Sequence, residues 1–176
     1  MARSIIETAR DNVNAVLVPM NKVRIAVWDS TPYLGTEGLN GCTGVAIISK
    51  TAGILAHIAP LPPGTYSNTD DAGHENLVAK MEQMISLYNM HEAHFLEARS
   101  CIVAAVHESA VALPEAVATI RTILHHLELP VKVIYYKVLE SGTFRMPGQT
   151  SIVIDATARG WPKMYRNNQE VSYGQY

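Results

Sequence analysis

The chain has 176 residues, 48% of them apolar and only 17% charged, with a net charge of −2. That length suits one ordinary domain able to bury a core without staples. Near-neutral charge with no Lys/Arg cluster excludes an electrostatic footprint for nucleic acid. The longest mostly apolar stretch, residues 45–63, is broken by Ser49, Lys50 and His57 and ends in prolines, so it is not a membrane span. The low charged fraction is compatible with a homo-oligomer.

Residues 1–20 show mixed spacing and carry no firm assignment; they stand as an N-terminal extension. They lack the basic-then-apolar layout of a secretory leader. A cytoplasmic setting, with Cys42 and Cys101 as free thiols, is therefore expected. No CxxC is present, and neither a metal nor a cofactor is expected. Residues 23–28 (VRIAVW) read as a strand, followed by Asp29-Ser30-Thr31-Pro32 turn chemistry. Gly35, Gly38 and Gly41 punctuate an expected loop. Residues 44–49 (GVAIIS) and 54–58 (ILAHI) read as a hairpin around Lys50–Gly53, ended by Pro60, Pro62 and Pro63.

Asn68 to Asp71 offers helix-capping residues for a helix over 72–91. Its stripe is Leu77, Met81, Met84, Ile85 and Tyr88, and Met90 is expected in the core with Met81 and Met84. A strand follows at 100–106, with Cys101 in the core. A second helix starts near Leu113-Pro114 and runs to about 128, where Pro130 stops it. Strands are expected at 131–138 and 151–155, and a frayed tail at 167–176. The fold class is α/β of the α+β sandwich kind: one mixed sheet with two helices packed on it, in a single domain.

The chemistry concentrates between Thr36 and Pro63. Cys42 precedes one buried strand and His57 ends its partner. An antiparallel hairpin brings both to one edge of the sheet. A thiol beside an imidazole has a base for its proton and becomes a nucleophile. Gly41 and the loop around it offer backbone amides for an oxyanion. The competing reading is that a lone Cys is packing, since Cys is among the most buried residue types. His91 and His94, spaced i,i+3, fit a polar helix end better than a metal site. His125-His126 fits a helix end in the same way. Trp28 and Trp161 read as packing.

The run from Thr36 through Gly38-Leu39 to Gly41-Cys42, then an apolar strand, a turn and Ala56-His57 with prolines beyond, resembles the CheD family of bacterial chemoreceptor glutamine deamidases. That resemblance implies a Cys nucleophile at Cys42, a His base at His57 and an assisting Thr at Thr36. It extends over about residues 22–166, and only 36–63 is specific. It implies a cysteine-dependent deamidase acting through a thioester on a protein glutamine or a small-molecule amide. Acyl transfer or cyclisation, and a catalytically idle binding domain, are the alternatives on the same fold. Gly41, Thr43, Tyr33 and His107 are the oxyanion and substrate-contact candidates. Several flanks depart from the family pattern. Gly41 stands where the family has Ser, Leu55 where it has Gly, and residues 66–71 look inserted. The substrate does not carry over with the motif.

Overall fold

The computed structural model describes residues 2–65 and 70–174. Its elements are α1 (Ile5–Arg10), β1 (Val16–Leu17), β2 (Lys22–Val27), β3 (Tyr33–Thr36), β4 (Thr43–Ser49), β5 (Ala52–Ile58), α2 (Asp70–Met90), β6 (Ala98–His107), β7 (Ala110–Val111), α3 (Pro114–His126), β8 (Val131–Lys137), β9 (Ile152–Asp155), β10 (Lys163–Arg166) and β11 (Gln169–Val171). A short 3-10 turn at Glu92–His94 follows α2.

The strands form two sheets rather than the single one expected. One runs β2-β5-β4-β6-β7, with β8 parallel on β6; the other runs β1-β3-β9-β10-β11. The fold class is nonetheless the expected α+β sandwich. Burial explains the second sheet. β4 and β5 are buried at every position, so each needs an apolar partner layer on both faces. Helices α2 and α3 cover one face, packing Leu77, Met81, Met84, Ile120 and Leu124 on Val45, Ile47, Ile54 and Ile102. The second sheet covers the other, with Leu34, Ile152, Ile154 and Met164 against Ala46, Ile48, Leu55 and Val103. Helix α1 closes the outside through Ile6 and Ala9 on Tyr33 and Val153. The layers are thus helix, sheet, sheet, helix.

Several expectations are corrected. The N-terminal segment is integral: Ser4 and Glu7 form a reciprocal capping box on α1. The glycine loop contains β3, because Gly35 lies where a Cβ would sit 3.0 Å from the Ile152 carbonyl. The tail is not frayed up to Gly174. β10 and β11 form a hairpin, and Tyr173 is buried with its hydroxyl donating to the Pro162 carbonyl at 2.5 Å. Met90 is 73% exposed, because it lies beyond the end of the stripe that meets the sheet. The capping residues expected at 68 and 69 lie outside the described residues. Among the described residues, no helix is long and apolar enough to cross a membrane.

Candidate active site

β4 and β5 pair antiparallel with Gly44 opposite His57 and Thr43 opposite Ile58. Side chains alternate along each strand, so even-numbered positions of β4 and odd-numbered positions of β5 share one face. Ala46, Ile48 and Leu55 place that face against the second sheet. Cys42 and His57 therefore look into the interior between the sheets. They are diagonal neighbours rather than opposite ones, an offset of about 7–8 Å between such positions. No hydrogen bond joins Sγ to Nε2 here: among the described residues, His57 Nε2 is buried without a partner.

The second sheet supplies Thr36. Its Oγ1 lies 2.7 Å from the Val18 carbonyl and 2.7 Å from His57 Nδ1. The hydroxyl has one proton, and a carbonyl can only accept. The proton therefore goes to Val18, and the oxygen accepts from Nδ1–H. That assignment leaves Nε2 as a bare acceptor on the face that carries Cys42. Two sheets and three chain segments thus set one imidazole tautomer. Burial drives the His57 pKa down to about 4, because the charged ring would be desolvated. Burial pushes the Cys42 thiol up, partly opposed by a hydrogen bond from the Asn40 backbone. At neutral pH the pair is thus a neutral base and a protonated thiol, not a preformed ion pair.

Gly41 does not offer its amide to a substrate. With φ at +96° it turns the chain, and its N–H donates to the Tyr136 hydroxyl at 2.9 Å. The same hydroxyl donates to the Cys42 carbonyl at 2.7 Å. Sequence reasoning missed Tyr136, which sits on β8, 94 residues from Cys42 along the chain. The tertiary register explains the reach. Gly44 pairs with Val103, which puts Ala105 level with Cys42, and Ala105 pairs with Tyr136. Ala105 is small, so the phenol lies across it. The small residue at position 105 of β6 was the local sign of that room.

The remaining candidates separate. Thr43 points to the helix face, where it lines a cleft of about 770 Å³ with Ile58, His74, Leu77 and the start of α3. Neither Cys42 nor His57 lines that cleft. Tyr33 faces α1, on the opposite side of β3 from Thr36, so it does not reach the pair. His107 closes β6 at its exposed end, opposite Ala110 across a tight turn, on the face that carries Val103 and Ala105. It stands at the exposed rim of that strand. Thr36 also borders a hollow of about 200 Å³ with Ile6, Val18, Met20 and Glu37. Cys101 is fully buried in the core, where burial raises its thiol to about 12.

No protein-family model matches the chain, and no curated protein matches it.

Proposed function

We propose that the protein is a cysteine-dependent amidohydrolase that deamidates a carboxamide, with Cys42 as nucleophile, His57 as base and Thr36 as the residue that orients the imidazole. The observation that carries the reading is the Thr36–His57 hydrogen bond, whose direction leaves Nε2 free and unprotonated on the Cys42 face. A buried, unpartnered imidazole nitrogen costs stability, and a catalytic role is one explanation for keeping it. The likeness of residues 36–63 to the CheD deamidases supports the same reading.

In this mechanism Sγ and Nε2 come within hydrogen-bond reach as substrate binds. Unbound catalytic contacts are commonly long. Nε2 takes the thiol proton while Sγ bonds to the carboxamide carbon. The Cys42 amide is the oxyanion donor candidate, since Gly41 is engaged by Tyr136. The imidazolium passes its proton to nitrogen, the C–N bond breaks and ammonia leaves. Water then attacks the thioester, giving its proton to Nε2. The C–S bond breaks, and the thiolate recovers the proton. The net change is carboxamide plus water to carboxylic acid plus ammonia. The substrate class is a carboxamide, either a glutamine side chain on a protein or a small amide, because the flanks that would carry substrate choice depart from the family pattern.

Ammonia release from glutamine-containing peptides and small carboxamides tests this. Cys42→Ala and His57→Ala are each expected to lower it at least a hundredfold. Full activity in either variant overturns the reading. One observation favours a second outcome of the same thioester: Cys42 is 4% exposed and His57 1%. A water-poor site promotes transfer to an amine over hydrolysis. Hydroxylamine added to the assay would then yield a hydroxamate in place of the acid.

A further inference from the structure

We propose that Tyr136 is a positioning residue for the nucleophile: its hydroxyl clamps the backbone on both sides of the Gly41–Cys42 peptide and thereby sets where Cys42 Sγ stands relative to His57. The proposal rests on the thiol–imidazole reading above and adds a residue that the motif does not contain.

The nucleophile lies just outside β4, whose pairing to β6 begins at Gly44. Cys42 is therefore past the last rung of that ladder. It follows a glycine in the left-handed region, a conformation that side-chain-bearing residues rarely adopt. A segment of that kind drifts unless something else holds it. The Tyr136 hydroxyl holds it at two points, accepting from the Gly41 N–H at 2.9 Å and donating to the Cys42 carbonyl at 2.7 Å. These two bonds replace the missing rung. The phenol is itself 2% exposed, packed in the core between the sheets. Its ring crosses Ala105, and β8 is locked to β6 over seven residue pairs from Ser100–Val131 to Val106–Lys137. The nucleophile is thus braced by β8 and the base by Thr36 on β3. Each half of the pair takes its position from a different sheet.

The arrangement has a chemical consequence. With its N–H given to Tyr136, Gly41 is removed from the oxyanion site, so the clamp exchanges a candidate oxyanion donor for position. Tyr173 is the internal control. It is a second buried tyrosine in the same core, and its hydroxyl bonds to the Pro162 carbonyl. Burial raises that hydroxyl to about 12.

The test needs no knowledge of the natural substrate. Iodoacetamide, a small carboxamide electrophile, is reacted with the full chain at pH 8, and Cys42 alkylation is followed by peptide mass. His57→Ala is expected to slow Cys42 alkylation at least tenfold in the otherwise native protein. In a Tyr136→Phe background the same His57→Ala change is expected to slow it less than twofold, because thiol and imidazole are no longer held in register. In a Tyr173→Phe background the tenfold effect is expected to persist. If it also persists in Tyr136→Phe, Tyr136 is structural only and the proposal is wrong. If His57→Ala has no effect in the native protein, the thiol–imidazole reading itself falls and takes the proposal with it, a separate row of the same experiment. Should Tyr136→Phe fail to fold, Ala105→Val serves instead. It crowds the phenol away from the Cys42 carbonyl while keeping the hydroxyl, and the same loss of His57 dependence is expected.

Discussion

Thr36 carries more of the site than its size suggests. A single hydroxyl proton, donated to Val18, decides which nitrogen of His57 is left unprotonated. Thr36→Val keeps the shape and removes the acceptor for Nδ1–H. The expected result is a 10- to 100-fold fall in kcat with a stability loss of about 1–2 kcal/mol, read from ammonia release and urea unfolding. His57 also links stability to pH. Its folded pKa is held at about 4 by burial, below the ordinary 6.5. The unfolded chain therefore binds the extra proton first. Stability is complete above about pH 6.5 and falls as the pH drops toward 4. Between pH 7 and pH 4.5 the native protein is expected to lose about 2 kcal/mol more than His57→Gln, measured by urea unfolding. An equal loss in both would show that His57 is not buried neutral. The raised Cys42 thiol predicts alkylation that keeps climbing with pH beyond neutrality. A plateau near pH 6 would instead show a preformed ion pair.

At the level of elements, the β4–β5 hairpin was legible because β-branched runs flank a short turn, and its register follows from that turn. The β10–β11 hairpin was not recognised, although Asn167 and Asn168 carried its signal. Both residues have positive φ, 50° and 65°, which asparagine tolerates better than most residues. The Ser4–Glu7 capping box is likewise a local signal, a Ser followed three residues on by Glu. Gly53 shows a constraint that only packing creates. A Cβ there would lie 2.6 Å from the buried Trp28 ring, whose Nε1 is tied to the Ser49 carbonyl. Gly53→Ala is expected to destabilise by about 1–3 kcal/mol in thermal or urea unfolding. No change would mean that the ring moves freely.

For the whole molecule, the stacked sheets make distant segments depend on one another. Tyr173, near the end of the described chain, fills the same inter-sheet core as Cys42, Leu39 and Tyr136. Tyr173→Ala is expected to cost about 3–5 kcal/mol and to lower Tm by about 10 °C or more. A shift below 2 °C would indicate that the tail is dispensable.

Thr36 joined Cys42 and His57 as a candidate through the resemblance to the CheD family rather than through spacing. The sequence alone was enough to identify the α+β class, the two long helices and most strands. These depend on periodicity, turn residues and local spacing, which are properties of short segments. Only the tertiary structure decided that there are two sheets, that Cys42 and His57 are diagonal rather than opposed, and that Thr43 and Tyr33 face elsewhere. It also decided that the Tyr136 hydroxyl bridges the Gly41 N–H and the Cys42 carbonyl. Each of these depends on which strands become neighbours. That is settled by burying β4 and β5 on both faces at once, a requirement that no local stretch of residues expresses.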